Sequence, residues 1–124
     1  MTAPLKIFIG YDHRQPVSFT TLTHSIIRHA SKPVSIAPLV LHTLPLVRAG
    51  LTPFTFSRFL VPYLCGYEGR ALFMDCDMLC RADIAELWDA PSDAFVSVVQ
   101  HDYCPRQEDK FLGFKQSAYE KKNW

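Results

Sequence analysis

Ile7-Phe8-Ile9 and Ala71-Leu72-Phe73-Met74 are apolar without interruption, and aspartate follows each run closely: Asp12 after the first, Asp75 and Asp77 after the second. A strand with one wet face alternates apolar and polar residues. A strand covered on both faces reads as a continuous apolar run, the pattern of a parallel sheet flanked by helices. The rest of the chain supplies candidates for both. Pro16 suits a first helical turn. Phe19, Leu22, Ile26, Ile27 and Ala30 then recur at helical spacing until Ser31-Lys32-Pro33 ends the pattern. Val34 to Leu41 reads as a second strand, in which Pro38 argues for an edge position or an irregularity because proline has no N–H to give. Thr43 to Pro53 reads as a loop with a short helical turn. Thr55 to Leu64 reads as a helix kinked or cut short by Pro62, closed by Gly66 and Gly69.

Arg70 to Asp75 is the next expected strand. Asp83 is placed to cap a short helix containing Ile84, Leu87 and Trp88. Phe95 to Val99 reads as a fourth strand, and the chain turns polar and weakly periodic from His101 onward. Strands alternating with helices predict an α/β fold, a mainly parallel sheet with flanking helices. In such sheets ligands bind beyond the carboxyl ends of the strands. Two strands here end in acidic residues, Asp12 after the first and Asp75 with Asp77 after the other, and that convergence points to a ligand site.

With 124 residues the chain is sized for one domain, residues 1–124, and 48% apolar residues are enough for a core. A net charge of +1 gives no electrostatic case for nucleic acid or an anionic membrane. No run approaches the roughly 18 to 20 apolar residues of a membrane-spanning helix. The apolar stretch near the N-terminus is too short for a signal peptide, so the cytoplasm is the expected location. The four cysteines, at 65, 76, 80 and 104, suit buried small hydrophobes in a reducing compartment. A zinc site would draft Cys76, Cys80, His101 and Cys104, but the paired Cys-x-x-Cys spacing is missing. His24, His29 and His42 have no clustered partner, whereas His101 and Asp102 follow a strand end beside the expected cleft.

The Asp75-x-Asp77 pair has three readings. Ionised carboxylates are hard oxygen ligands, suited to Mg²⁺ or Mn²⁺ more than to zinc. Buried without a cation they would lose several kcal/mol of solvation or stay protonated, by order of magnitude. Alternatively they cap a turn or pair with Arg70 and Arg81. In a phosphatase of the haloacid-dehalogenase kind, the first would be a nucleophile and the second a general acid. That motif normally stands near the N-terminus and continues with Thr or Val, where this chain has Met78.

The stretch R-A-L-F-M-D-C-D-M-L-C-R-A-D-I-A-E-L-W, residues 70–88, resembles the Asp-x-Asp segment of nucleotide-sugar glycosyltransferases with the GT-A fold, in particular the glycosyltransferase family 8-like group. K-I-F-I-G-Y-D at 6–12 resembles its nucleotide-binding first strand. T-F-S-R-F-L-V-P-Y-L at 55–64 resembles the helix whose arginine faces the donor diphosphate. Q-S-A-Y-E-K-K-N-W at 116–124 resembles the run into a further strand. The resemblance implies a Rossmann-like fold and transfer of a sugar, with retained stereochemistry, from a nucleotide donor to a glycan, lipid or protein acceptor.

Carried over, Asp75 and Asp77 would hold Mn²⁺ or Mg²⁺ against the diphosphate of a UDP-sugar. Cys76 would lie beside the ribose, and Arg58 would add a cation near the phosphates. Gly10, Tyr11 and Asp12 would meet the nucleoside, with Asp12 accepting a base N–H. Each has a plainer alternative: Asp12 as a turn former, Tyr11 as a core aromatic, Arg58 as a surface arginine. The family's later histidine, which completes the metal shell, has no counterpart here. The resemblance therefore implies the N-terminal, donor-binding part of such an enzyme, with an inactive nucleotide-binding or interaction module as the alternative. An unpaired sheet edge would favour self-association.

Overall fold

The three described strands run in one direction, which follows from the connections between them: strands joined through a helix or a long crossover can lie parallel. In the computed structural model, which describes residues 3–45 and 55–100, β1 (Leu5–Gly10) lies between β2 (Val34–Leu39) and β3 (Leu72–Met74), in the order β2-β1-β3. Leu5 stands opposite Val34 and Gly10 opposite Leu39, while Ile7, Phe8 and Ile9 stand opposite Leu72, Phe73 and Met74. Pro38 thus falls on an edge strand of the described sheet, as its missing donor requires.

Between β1 and β2 runs α1 (Pro16–His29), with proline in its first turn and Arg28 and His29 in its last. Basic residues there complement the partial negative charge of a helix C-terminus. Its buried residues are Leu22, Ser25 and Ile26, one stripe at i, i+3 and i+4. Ile27, expected on this face, stands 58% exposed, and Ser25 takes a buried place. The segment expected as a helix from Thr55 to Leu64 begins as a 3-10 turn, Ser57–Leu60, and continues as α2 (Val61–Leu64). Pro62 occupies the first turn of α2, where its missing N–H is harmless. The chain then turns through Gly66, Tyr67 and Gly69, all at positive φ. A last short helix, α3 (Ile84–Trp88), is capped by the Asp83 side chain, which accepts from the Ala85 amide at 3.0 Å.

Leu5, Ile7 and Ile9 of β1 form the core with Leu22 and Ile26 of α1, Cys76, and Ile84 and Ala85 of α3. Each fully buried Leu or Ile contributes about 1.5–3 kcal/mol. The burial is one-sided: Lys6 is exposed and Phe8 half-buried, and all three residues of β3 are half-buried. The sheet is therefore densely covered on a single face, less than the unbroken apolar runs predict.

The chain divides into two units, residues 1–90 and 91–124. In the second, residues 91–100 contain no strand. The fourth strand expected at Phe95–Val99 does not form. β-branched composition favours an extended chain, but a strand also needs a neighbour for its backbone groups. The segment makes local contacts instead: Ser92 Oγ accepts from the Ala94 amide at 3.2 Å and lies 2.9 Å from Ser97 Oγ. Most of the expected Thr43–Pro53 loop, with His101, Asp102, Cys104 and the 116–124 segment, lies outside the described residues.

Candidate functional site at the carboxyl edge of the sheet

Parallel strands bring all their carboxyl ends to one edge. Past β1 come Tyr11 and Asp12, past β3 come Asp75, Cys76 and Asp77, and past β2 come Val40 and Leu41. Sequence-distant acidic residues therefore meet because of topology.

Asp12 is 4% exposed and is held by Arg14. Its Oδ1 accepts from the Arg14 amide and from Nε, each at 3.0 Å. Its Oδ2 accepts from Nε at 3.2 Å and from Nη2 at 2.8 Å. The guanidinium holds the Asp12 carboxyl below its ordinary pKa despite burial, and the carboxylate raises that of Arg14 in return. The Asp12 carbonyl also accepts from the Gln15 amide at 2.9 Å, which leads the turn into α1. Arg14 has no role in the sequence reading. Its signal was available, because an aspartate commonly accepts from the backbone amide two residues on.

At the end of β3 a second arginine–aspartate pair forms. Arg58 Nη2 donates to Asp75 Oδ1 at 3.1 Å, Arg58 Nε donates to the Thr55 carbonyl at 3.1 Å, and the guanidinium lies 5.0 Å from the centre of the Phe73 ring. Arg70, considered as an Asp75 partner from sequence, donates instead to the Trp88 carbonyl.

Cys76 is 3% exposed between these two strand ends. Burial pushes its thiol pKa up, the Asp77 charge pushes the same way, and a backbone contact from Asp12 acts in the opposite direction. The thiol thus links the β1 and β3 ends as packing. Asp77 is exposed, with no ion pair or hydrogen bond among the described residues. The chain beyond it is pinned to α1 by Ser25, whose Oγ accepts from the Cys80 amide at 2.9 Å and donates to the Leu22 carbonyl at 2.7 Å. Ser25 also escaped the sequence reading, and no local pattern points to a partner 55 residues away.

Among the described residues no group of three or more His, Cys, Asp or Glu is arranged for a metal. Two of the four residues a zinc site would draft, His101 and Cys104, lie outside the described residues. Two neighbouring carboxylates do fit a hard cation such as Mg²⁺, commonly bound through one or two carboxylates with water and substrate phosphates. On the other side of β1, Tyr11, Phe19, Pro38, Val40, Leu41 and His42 help line an open, largely apolar cleft of about 870 Å³. The Tyr11 and Phe19 rings meet edge to face there, 5.7 Å between centres.

The parallel sheet, its flanking helices and its acidic carboxyl edge define an α/β protein with a ligand site expected at the strand ends. In shape the chain is similar to the solved structure described as "WbbM bifunctional glycosytransferase apo structure", with TM-score 0.59 over 73% of this chain and 22% of that one, at 24% identity. The fold is GT-A, as the resemblance implied. The family model for glycosyl transferase family 8 matches residues 12–123, and the chain belongs to that family. It is also 42% identical to "Protein CDI" of Arabidopsis thaliana over 98% of its own length. It spans 50% of that relative.

Proposed function

We propose that residues 1–124 form the donor-binding part of a glycosyltransferase that takes a UDP-sugar and passes the sugar to a glycan, lipid or protein acceptor. The observation that carries this reading is the meeting, at one sheet edge, of the Gly10–Asp12 turn with Asp75, Cys76 and Asp77. In this reading the nucleoside lies along the end of β1, with the base toward the apolar cleft beside Tyr11. Gly10 lets the donor approach the backbone. Asp75 and Asp77 would hold Mn²⁺ or Mg²⁺, with Arg58 beside them as a fixed cation near the diphosphate. When bound, the metal would offset the charge that builds on the departing nucleoside diphosphate. Cys76 contributes packing at the ribose side, since its buried thiol is kept protonated.

Calorimetric titration of UDP, with and without Mn²⁺, tests this reading. The expected result is binding that strengthens with Mn²⁺ and loses that dependence in Asp75→Asn and Asp77→Asn. A folded chain that binds no UDP in either condition defeats it.

A further inference from the structure

We propose that Arg14 is the ligand-contacting residue at the β1 end, binding a phosphate of the nucleotide, and that Asp12 acts through it as a positioning residue. This rests on the reading above that the donor is a nucleotide sugar, and it reassigns the base-accepting role that the resemblance implies for Asp12. The Asp12 side chain is 5% exposed, and both its oxygens are taken by Arg14. Three N–H groups of Arg14 converge on this carboxylate, the Nε–H shared between its two oxygens, so both oxygens are already engaged. A base N–H would have to displace a charge-assisted pair to reach it.

Arg14 is in the opposite position. Its side chain is 53% exposed, and only the Nε–Nη2 edge of the guanidinium is engaged. The Nη1–Nη2 edge is left as a planar two-donor fork, the geometry that matches a phosphate. Its orientation is fixed beforehand by Asp12, so binding costs little side-chain ordering. The neighbouring strand end repeats the device, with Arg58 held by Asp75. Two arginines, each fastened by an aspartate, at the ends of adjacent parallel strands suit a ligand that carries two linked phosphates.

The test is titration of the 124-residue chain and its Arg14→Ala, Arg14→Lys and Asp12→Asn variants with UDP, UMP and uridine in Mn²⁺. Arg14→Ala should weaken UDP about tenfold or more and leave uridine unchanged. Arg14→Lys should recover only part of the loss, because an ammonium lacks the fork. Asp12→Asn should follow Arg14→Ala, sparing uridine, since it releases the guanidinium without touching the base. A general loss of structure would weaken all three ligands together, so the split between UDP and uridine reports the role. As a readout free of variants, UDP but not uridine should protect Arg14 of the unmodified chain from phenylglyoxal, read by mass spectrometry. If the chain binds UDP but Arg14→Ala binds it unchanged, or an Asp12→Asn variant shown to be folded weakens uridine as much as UDP, this inference is overturned and the donor reading stands. If the unmodified chain binds no UDP at all, both fall.

Discussion

Replacing Ser25 with alanine should cost more than the loss of one small hydroxyl suggests. Ser25 is 5% exposed, and its Oγ accepts from the part-buried Cys80 amide at 2.9 Å. The second bond of the hydroxyl, to the Leu22 carbonyl at 2.7 Å, duplicates a helix acceptor and matters less. Stranding the Cys80 amide costs about 1–3 kcal/mol. Exchanging serine for alanine inside a helix returns roughly 0.5 kcal/mol. The net expectation for Ser25→Ala is a loss of about 1.5 kcal/mol, or about 6 °C in Tm for a chain of this length. Urea unfolding should show a lower midpoint at unchanged slope. Thr20→Ala is the matched control: the same helix, an exposed hydroxyl, and a bond to the Pro16 carbonyl at 3.1 Å. It should stay within about 0.5 kcal/mol of the parent chain. Hydrogen exchange supplies a local readout, since the Cys80 amide should lose protection in Ser25→Ala and keep it in Thr20→Ala. If the two variants have equal stability and Cys80 exchanges alike in both, Ser25 does not pin the chain beyond Asp77.

Leu22→Ala, at a fully buried position facing β1, should destabilise by about 3 kcal/mol in the same urea assay, and a loss under 1 would contradict the core described. Gly69 sits at φ +76° with open space around it, so Gly69→Ala should cost about 1 kcal/mol through backbone strain alone, and a neutral result would refute that origin. Folding lowers the pKa of Asp12, faced by Arg14, His13 and Cys76, and of Asp83, faced by Ser31, the Ala85 amide and Lys32. Both carboxyls hold protons less tightly when folded, so their stabilisation is full above about pH 5 and is lost as pH falls below about 4 and through the folded values. Asp12→Asn should flatten the urea-midpoint profile between about pH 3 and 6, and a profile as steep as the parent's would remove Asp12 as a source. Cys76, buried and with its pKa raised, should react with iodoacetamide at pH 8 more slowly than the less buried Cys65, and faster modification of Cys76 would contradict its burial.

Features decided by neighbours a few residues apart were legible in the sequence. The β1 and β2 runs, the span of α1 and the Asp83 cap follow from periodicity, proline chemistry and capping, all local rules, whereas Pro62, expected to break a helix, stands in the first turn of one. The same rules overreached where a partner was needed: Phe95–Val99 has the composition of a strand without the pairing, and Ile27 fits the helical stripe yet points to solvent. At the candidate site, the sequence singled out Asp12, Asp75 and Asp77, and all three follow the ends of neighbouring parallel strands. The Asp12–Arg14 backbone contact is local and was within reach of the sequence, but the burial that leaves the carboxylate to Arg14 was not.

Only the tertiary structure decided what these groups face. Arg58 and Asp75 are 17 residues apart, Ser25 and Cys80 55, and Asp83 and Ser31 52. Such pairs meet because β1 lies between β2 and β3 with all three strands parallel, which gathers their ends on one edge. A residue's type and its near neighbours fix its conformational preference and its charge. Which distant group shares its space depends on strand order and register, which the whole set of buried contacts selects together.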